Sequence, residues 1–307
     1  MHNRREFLLT AALAATARGA TETPHFAISA NMWPKNIEEG IKTAARFKFA
    51  GIEPFRANLV KYIDKPQALK EQLDAAGIKM VTCSNGSVAG MTVDFVDPAK
   101  TQQSITDHVT MARDFLTVFG CRHFKINMGR RPDGGSTDEH LKTLARSLTD
   151  LGKRTADLGI KLAFHPHIWS PVERESELRK VLDLTDPKFV YIVPDACHLA
   201  LGGMNVVKVY SDFYSRIAAV HFKDAEPRFR DYRGPTPTQE EHTRVNLYRK
   251  LGEGGVDIPG AYAVLRKNNY QGWITLDFDE PRPGEGSVEE NLTGYKKYLR
   301  EKLKVNF

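Results

Sequence analysis

Short β-rich runs alternate with longer helical patterns along almost the whole chain, and this alternation limits the fold more than any other feature. We count eight such pairs from His25 onward. The eight predicted strands are residues 25–33, 51–56, 79–86, 122–129, 161–167, 190–198, 218–225 and 272–279. Strict alternation predicts a parallel sheet with crossover helices, and eight units is the number that closes a (β/α)8 TIM barrel.

The main alternative is a doubly wound open sheet. That fold would have about five or six strands and a glycine-rich phosphate loop after the first strand. This chain has Asn31-Met32-Trp33-Pro34 at that position, which favours the barrel. We therefore predict one barrel domain over residues 21–307.

Residues 1–20 have the pattern of an export signal. Arg4 and Arg5 precede an apolar stretch over 7–17, which ends at an A-x-A cleavage site. This order is typical of a twin-arginine-type signal peptide, so we expect export to the periplasm. The stretch has 11 residues, too few for a membrane-spanning helix of about 20. An amphipathic first helix is the alternative, but the stretch has no polar face.

Charge and cysteine content exclude two further classes of protein. The net charge is +6, from 44 basic and 38 acidic residues, and the basic residues are scattered through helical patterns. This distribution does not indicate a nucleic-acid surface. The three cysteines, Cys83, Cys121 and Cys197, are too few and too far apart for a disulfide framework. We expect the core to supply the stability of the fold.

The connection over residues 226–255, after the seventh predicted strand, is unusually long. It carries Pro227, Pro235 and Pro237 and ends in Gly252-Glu253-Gly254-Gly255. Connections longer than about 12 to 15 residues are uncommon unless they are functional or disordered. In a barrel this connection lies on the catalytic face. We expect a lid or pocket wall, with a flexible surface loop as the alternative.

Catalytic groups of a barrel enzyme lie at the C-terminal ends of its strands. The last four predicted strands end in His165-Pro166-His167, Asp195-Ala196-Cys197-His198, His221-Phe222-Lys223-Asp224 and Asp277-Phe278-Asp279-Glu280. Imidazoles and carboxylates from neighbouring strands suit a divalent ion such as Mn, Co, Zn or Mg. Taken singly, each histidine could be a hydrogen-bonded structural residue, and Asp224 could cap a short helix. Four such strands in succession favour a metal.

These motifs resemble those of the xylose-isomerase-like sugar isomerase and epimerase superfamily. The matching segments are 164–167, 195–199, 216–224, 251–254 and 270–274. They are most similar to the inosose dehydratase branch, in which H-x-H replaces the E-x-H of epimerases on the fifth strand. The resemblance covers about residues 25–303 as a fold, and its specific motifs lie within 161–280.

The resemblance implies one divalent ion held by one residue from each of strands five to eight. Carried over to this chain, the ligands are His165, Asp195, His221 and Asp277. Relatives usually have glutamate at the last position, so Asp279 is the alternative ligand there. We expect manganese, with cobalt, magnesium or zinc as alternatives.

Several residues near the strand ends are expected to act on the substrate or to bind it. The expected catalytic residues are His165, His167, His198 and Lys223, and the expected substrate-binding residues are Glu53, Asn85, Lys125 and Trp169. His167 and His198 could instead orient a ligand, and Lys223 could pair with Asp224. Asn85 and Lys125 could cap loops, and Trp169 could be a packing residue.

We expect a metal-dependent lyase that acts on a keto-sugar, keto-cyclitol or 3-keto-glycoside through an enediolate. Histidines at strand five and the shorter Asp277 at strand eight break the pair of glutamate bases that epimerases use, which favours elimination. An epimerase or isomerase is the alternative, and a non-catalytic sugar-binding barrel is a third. A zinc endonuclease would need further ligands from strands two to four, where Lys125 would repel a second cation. The expected partner is a small carbohydrate, and homo-oligomerisation is left open.

Overall fold

The computed structural model describes residues 24–86 and 90–305. The predicted signal peptide lies outside the described residues. A strand is present in each of the eight predicted positions, so the predicted alternation is confirmed. The barrel strands are β1 His25–Ser29, β2 Gly51–Glu53, β3 Lys79–Met80, β4 His123–Ile126, β5 Lys161–Phe164, β6 Val190–Ile192, β7 Val220–Phe222 and β10 Trp273–Leu276. Two more, β8 Asp224–Ala225 and β9 Tyr248–Arg249, form a hairpin around the long connection.

Ten α-helices in the described part of the chain cover the strands. They are α1 Ile37–Arg46, α2 Pro66–Ala76, α3 Pro98–Asp114, α4 Asp138–Ala156, α5 Glu175–Leu184, α6 Ala196–Leu201, α7 Val206–Asp212, α8 Gln239–Val245, α9 Ile258–Lys267 and α10 Val288–Lys302. In α4, the Thr137 hydroxyl accepts a hydrogen bond from the His140 amide at 3.2 Å and so caps the helix. Leu141, Leu144 and Leu148 of α4 recur at helical spacing and are buried. That face anchors the helix on the barrel.

Within each sheet, all neighbouring barrel strands pair in parallel, as the alternation predicts. The hydrogen-bonded ladders run in the order β3-β2-β1-β10-β7 in one sheet and β4-β5-β6 in a second. Two seams join these sheets into a barrel. At the β6/β7 seam, isolated bridges pair Ile192 with Ile217 and Asp195 with His221. At the β3/β4 seam, the Thr82 hydroxyl accepts a hydrogen bond from the Lys125 amide at 3.3 Å.

The observed strands are shorter than predicted because proline follows several of them closely. Pro54 comes directly after β2, Pro166 lies two residues after β5, and Pro194 lies two residues after β6. Proline has no backbone N–H to donate to a ladder, so the continuous ladder ends there and only isolated bridges follow, such as Asp195 with His221. The residues beyond these points form the catalytic face.

The core holds the fold together without covalent cross-links. Cys83, Cys121 and Cys197 are buried with free thiols, as the sequence predicts. Burial raises the pKa of each thiol, which makes them poor nucleophiles. No helix in the part of the chain that the structure describes is long and apolar enough to cross a membrane.

Candidate metal centre and active site

The four predicted ligands lie together at the C-terminal ends of neighbouring strands. His165 follows β5, Asp195 begins the turn into α6, His221 lies in β7, and Asp277 follows β10. Their relative exposures lie between 0% and 4%. The backbone amides of His165 and Asp277 donate hydrogen bonds to carbonyl oxygens of the neighbouring strands, at 3.0 and 3.1 Å. These bonds fix the backbone positions from which the two side chains extend.

Asp195 and His221 stand at the middle of the cluster. The Asp195 Oδ2 atom lies 3.9 Å from His165 Nε2 and 3.7 Å from His221 Nδ1. The His221 Nδ1 atom also lies 3.5 Å from Asp277 Oδ2. One candidate ligand atom from each of His165, Asp195 and His221 fits within 4.8 Å of the others. These three residues can thus surround a single ion, and Asp277 lies beside this group through its contact with His221.

Each of the four residues carries a buried polar atom that has no hydrogen-bond partner among the described residues. These atoms are both ring nitrogens of His165, Asp195 Oδ2, His221 Nδ1 and Asp277 Oδ1. Buried polar atoms are normally paired, because leaving one unpaired costs about 1 to 3 kcal/mol. Two imidazoles and two carboxylates with free lone pairs fit a divalent cation. The residues present therefore suit the predicted ion.

The turn into α6 orients the Asp195 carboxylate so that its Oδ2 atom faces the cluster. Its Oδ1 atom caps α6 by accepting hydrogen bonds from the amides of Cys197 and His198, at 2.8 and 3.1 Å. The other oxygen is left facing the histidines. Asp279, the alternative ligand, has a side chain that is 54% exposed and lies beside Lys223. The geometry therefore favours Asp277 over Asp279 beside His221.

Glu53 supports His221 from the opposite side of the ring. The His221 Nε2 atom lies 3.0 and 3.1 Å from the two Glu53 oxygens. Lys125 forms an ion pair with Glu53 at 3.0 Å, and Thr275 donates a hydrogen bond to it at 2.8 Å. Burial opposes charge on His221, but the Glu53 carboxylate prevails and raises the pKa of that imidazole to about 10. With this pKa, both ring nitrogens carry a proton at neutral pH in the metal-free protein. An ion bound at Nδ1 would displace the proton there, while Glu53 would keep the proton on Nε2.

Glu53 and Lys125 are almost completely buried and paired with each other. Burial alone would raise the pKa of Glu53, yet His221 and Lys125 hold it well below its ordinary range. Both side chains already have strong partners inside the barrel. Their predicted contact with substrate stays a prediction.

His167 and His198 lie beside the cluster with their ring centroids 3.5 Å apart. Burial lowers the pKa of both imidazoles. The His167 Nδ1 atom lies 2.5 Å from the Ile168 carbonyl oxygen, so this nitrogen carries the proton. The His198 Nδ1 atom has no partner among the described residues. Two neutral imidazoles able to accept a proton thus stand next to the metal centre.

Lys223 pairs with Asp279 and not with Asp224, so the alternative pairing considered from the sequence is wrong. Its Nζ atom lies 3.2 Å from Asp279 Oδ2, 3.7 Å from Asp277 Oδ2 and 4.0 Å from the centre of the Tyr248 ring. Burial opposes its charge, but the two carboxylates raise the pKa of Lys223 well above its ordinary value. This lysine is a buried ammonium group at the edge of the centre.

Asp224 holds the end of the long connection in place. This differs from the role considered from the sequence, the cap of a short helix. Its carboxylate accepts backbone hydrogen bonds from Ala225, Gly252, Gly254 and Val256 at 2.9 to 3.1 Å. A Cβ atom on Gly254 would clash with Asp224 Oδ1, so only glycine fits there. These hydrogen bonds and the lack of space for a side chain explain the glycines of the Leu251-Gly252-Glu253-Gly254 motif.

Asn85 and Trp169 are both held by internal hydrogen bonds. The Asn85 amide bonds to the backbone of Gly86 and Asn127 and to His108, four contacts that use its full capacity. This is the loop-capping arrangement, and it spans the β3/β4 seam. Trp169 has φ +65°, an uncommon value for a bulky residue, and its indole donates to the Pro237 carbonyl at 2.8 Å. Trp169 thus ties the long connection to the mouth of β5.

Sequence reasoning missed two aromatic residues of the long connection. The Tyr248 ring lies 5.6 Å from the His198 ring, and the His242 ring lies 5.7 Å from the Trp169 ring and 4.4 Å from Tyr248. With the histidine pair they form a continuous aromatic wall, His167–His198–Tyr248–His242–Trp169. No motif in the sequence indicated that these two rings lie beside the site, because residue spacing alone does not determine how a 30-residue connection folds.

A comparison with protein-family models matches residues 41–298 to the xylose isomerase-like TIM barrel. The chain is 28% identical to an inosose dehydratase of Clostridium botulinum (strain Alaska E43 / Type E3) over 169 residues. That match spans 55% of this chain and 56% of the relative, so only about half of that protein is matched. An inosose dehydratase of Clostridium beijerinckii is 28% identical over 286 residues, which span 87% of this chain and 89% of the relative.

Among solved structures, the chain is similar to the IOLI protein with a bound zinc atom. The TM-score is 0.73 at 16% sequence identity, and the match covers 92% of this chain and 99% of that one. This likeness confirms the barrel fold.

Proposed function

The chain belongs to the xylose isomerase-like TIM barrel family, and on that premise we propose that it is a metal-dependent dehydratase or β-eliminating lyase of keto-cyclitols and related keto-sugars. The observation that carries the proposal is the set of unpartnered buried atoms on His165, Asp195, His221 and Asp277. A neutral histidine pair and a charged lysine lie next to this set. The inosose dehydratases to which the chain is similar give the substrate class.

The four residues would hold a divalent ion, for which we propose manganese because nitrogen and oxygen donors are mixed in equal number. When bound, such an ion polarises a ketone and makes the neighbouring C–H bond more acidic. Metal content after loading with an equimolar mixture of Mn, Co, Mg and Zn tests the choice of ion. Predominance of another metal would contradict it.

The chain's own residues supply the proton transfers. His198, neutral and with an unpartnered Nδ1, accepts the proton from the carbon next to the ketone, while His167 packs against its ring. Lys223 donates a hydrogen bond to substrate oxygen as negative charge develops there. The protonated imidazole then returns the proton to the departing hydroxyl or alkoxide. Loss of that group completes the elimination.

Reaction in deuterium oxide tests the proposal. The metal-loaded protein is incubated with a panel of keto-cyclitols and keto-glycosides, and the products are analysed by mass spectrometry and NMR. We expect an eliminated product, and we expect His198→Ala to reduce its formation about 10²- to 10⁴-fold. His140→Ala, in the capping box of α4, is the control. Deuterium at the α-carbon of an inverted sugar, with no eliminated product, would instead establish an epimerase.

We also propose that the protein is exported through the twin-arginine route. The arginine pair, the short apolar stretch and the A-x-A site of the first 20 residues support this proposal. Expression in a bacterium with intact and with disabled twin-arginine export tests it. We expect a mature N-terminus near Arg18 in the periplasmic fraction of the intact strain only. An intact Met1 terminus on periplasmic protein would count against the leader.

A further inference from the structure

A cavity of about 310 Å³ lies between the long connection and the segment that joins β10 to α10. It shares Lys223, Asp279, His242 and Tyr248 with the candidate active site, while none of the four proposed metal ligands lines it. The Lys223 Nζ atom lies 3.7 Å from Asp277 Oδ2. The cavity therefore adjoins the reacting centre as a separate compartment. Its volume is at the lower end of the range for ligand pockets, about 300 to 1,000 Å³. A cavity of this size suits a small ligand that contains a single ring.

Asn291, in the lining of the cavity, carries an amide oxygen without a hydrogen-bond partner among the described residues. The residue is 4% exposed and lines the cavity. Its Oδ1 atom has no hydrogen-bond partner among the described residues. A buried amide oxygen without a partner is uncommon in a folded protein. The oxygen itself has almost no accessible surface, so a rotation of the side chain toward the cavity would let a hydroxyl group of a bound molecule satisfy it.

The lining of the cavity combines aromatic rings with balanced charges. The rings of Phe278 and Tyr295 stack with their centroids 3.9 Å apart, and Tyr248 and His242 also line the cavity. Its charged side chains are Lys223, Arg249, Lys250 and Arg282 on the basic side and Glu253, Asp279, Glu280 and Glu285 on the acidic side. Four positive and four negative groups do not favour an ion of either sign. Aromatic faces together with hydrogen-bonding groups suit a neutral molecule rich in hydroxyls.

We propose that this cavity is a subsite for a second, neutral sugar ring, so that the substrate is a keto-glycoside whose leaving group is a sugar. This inference rests on the proposed function and narrows its substrate class. For a 3-keto-glycoside, the base removes the proton at C2, and the C2–H electron pair forms the C1=C2 double bond. The C1–O bond breaks, its electrons leave with the glycosidic oxygen, and that oxygen takes a proton. Lys223, shared by both compartments, lies where that oxygen departs.

A binding experiment tests the subsite without turnover. Isothermal titration calorimetry of the metal-loaded protein uses trehalose, an unoxidised disaccharide, and D-glucose. We expect trehalose to bind at least tenfold more tightly than glucose, and Asn291→Leu and Arg282→Ala each to weaken trehalose binding about tenfold, the loss of one well-formed hydrogen bond. Arg130→Ala, whose side chain is 85% exposed, is the matched control. Equal affinity for the two sugars, or no effect of both variants, would overturn the proposal.

A kinetic experiment separates this inference from the proposed function. The ratio of kcat/KM for a 3-keto-disaccharide to kcat/KM for a keto-cyclitol is compared between the wild type and Arg282→Ala. We expect wild type to prefer the disaccharide and the ratio to fall about tenfold in the variant. Elimination from the cyclitol with no preference for the disaccharide would reject the subsite and retain the function. Tight trehalose binding without elimination from any ketone would reject the function and retain the subsite.

Discussion

Glu53 shows how one buried carboxylate can set the charge and orientation of a candidate metal ligand. It holds the His221 ring by its Nε2 atom and balances the charge of Lys125, and all three side chains are almost fully buried. Glu53 and His221 are 168 residues apart in the sequence. The strand ends, where the candidate ligands lie, could be predicted from the alternation of elements. The partners behind the ligands could not, because they depend on which strands become neighbours across the barrel.

We predict that Glu53→Gln destabilises the metal-free protein by about 3 kcal/mol, because Lys125 is left buried without a counter-charge. Chemical denaturation at pH 7 measures the free energy of unfolding. Since the pKa of Glu53 in the folded protein lies below the ordinary 4.5, its contribution is fully present above that pH and is lost only as the pH falls through the folded-state value.

The double variant Glu53→Gln/Lys125→Met provides the control for this prediction. It removes both charges, and we expect it to recover part of the lost stability. Glu139→Gln, at a side chain that is 67% exposed, should have little effect. A Glu53→Gln variant as stable as wild type would show that the buried pair contributes nothing.

At the scale of elements, the positions of the eight strands could be predicted, but their lengths could not. Each predicted strand extended into the residues that carry chemistry, such as 193–198 after β6. Pro194 and the capping role of Asp195 end the continuous ladder there and leave one isolated bridge, Asp195 with His221. The long connection was recognised by its length, whereas α8 and the β8/β9 hairpin within it depend on contacts that no local pattern specifies. Asp224 is the residue that fastens this connection to the barrel.

We predict that Asp224→Asn loosens the long connection while the barrel stays folded. The carboxylate accepts four backbone hydrogen bonds, and an amide group presents a donor where one oxygen now accepts. Limited trypsin digestion should cleave within residues 226–255 about tenfold faster than in the wild type, as expected for the loss of about one such bond. Asp231→Asn, within the same connection, is the control. Equal cleavage rates would contradict the clamp.

At the scale of the whole molecule, the proposed ion would join the two sheets of the barrel. His165 and Asp195 belong to the strands of the three-stranded sheet, and His221 and Asp277 to those of the five-stranded sheet. Between these sheets, the β6/β7 seam has only isolated bridges. A ligand that binds the folded chain alone stabilises it by mass action. At this seam the same ion would also hold together two sheets that share few backbone hydrogen bonds.

We therefore predict that metal removal lowers the melting temperature of the whole barrel. With free ion at 100 times its Kd, the stabilisation is about 2.7 kcal/mol, which corresponds to about 5 to 10 °C in Tm for a domain of this size. Calorimetric scans of the wild type with and without chelator measure the shift. His221→Ala removes the Nδ1 atom at the middle of the cluster, so its Tm should be the same in both conditions. His140→Ala should keep the wild-type shift. If His221→Ala still responded to the ion as the wild type does, the ion would be bound elsewhere, because the only cluster of three such residues in the described part of the chain includes His221.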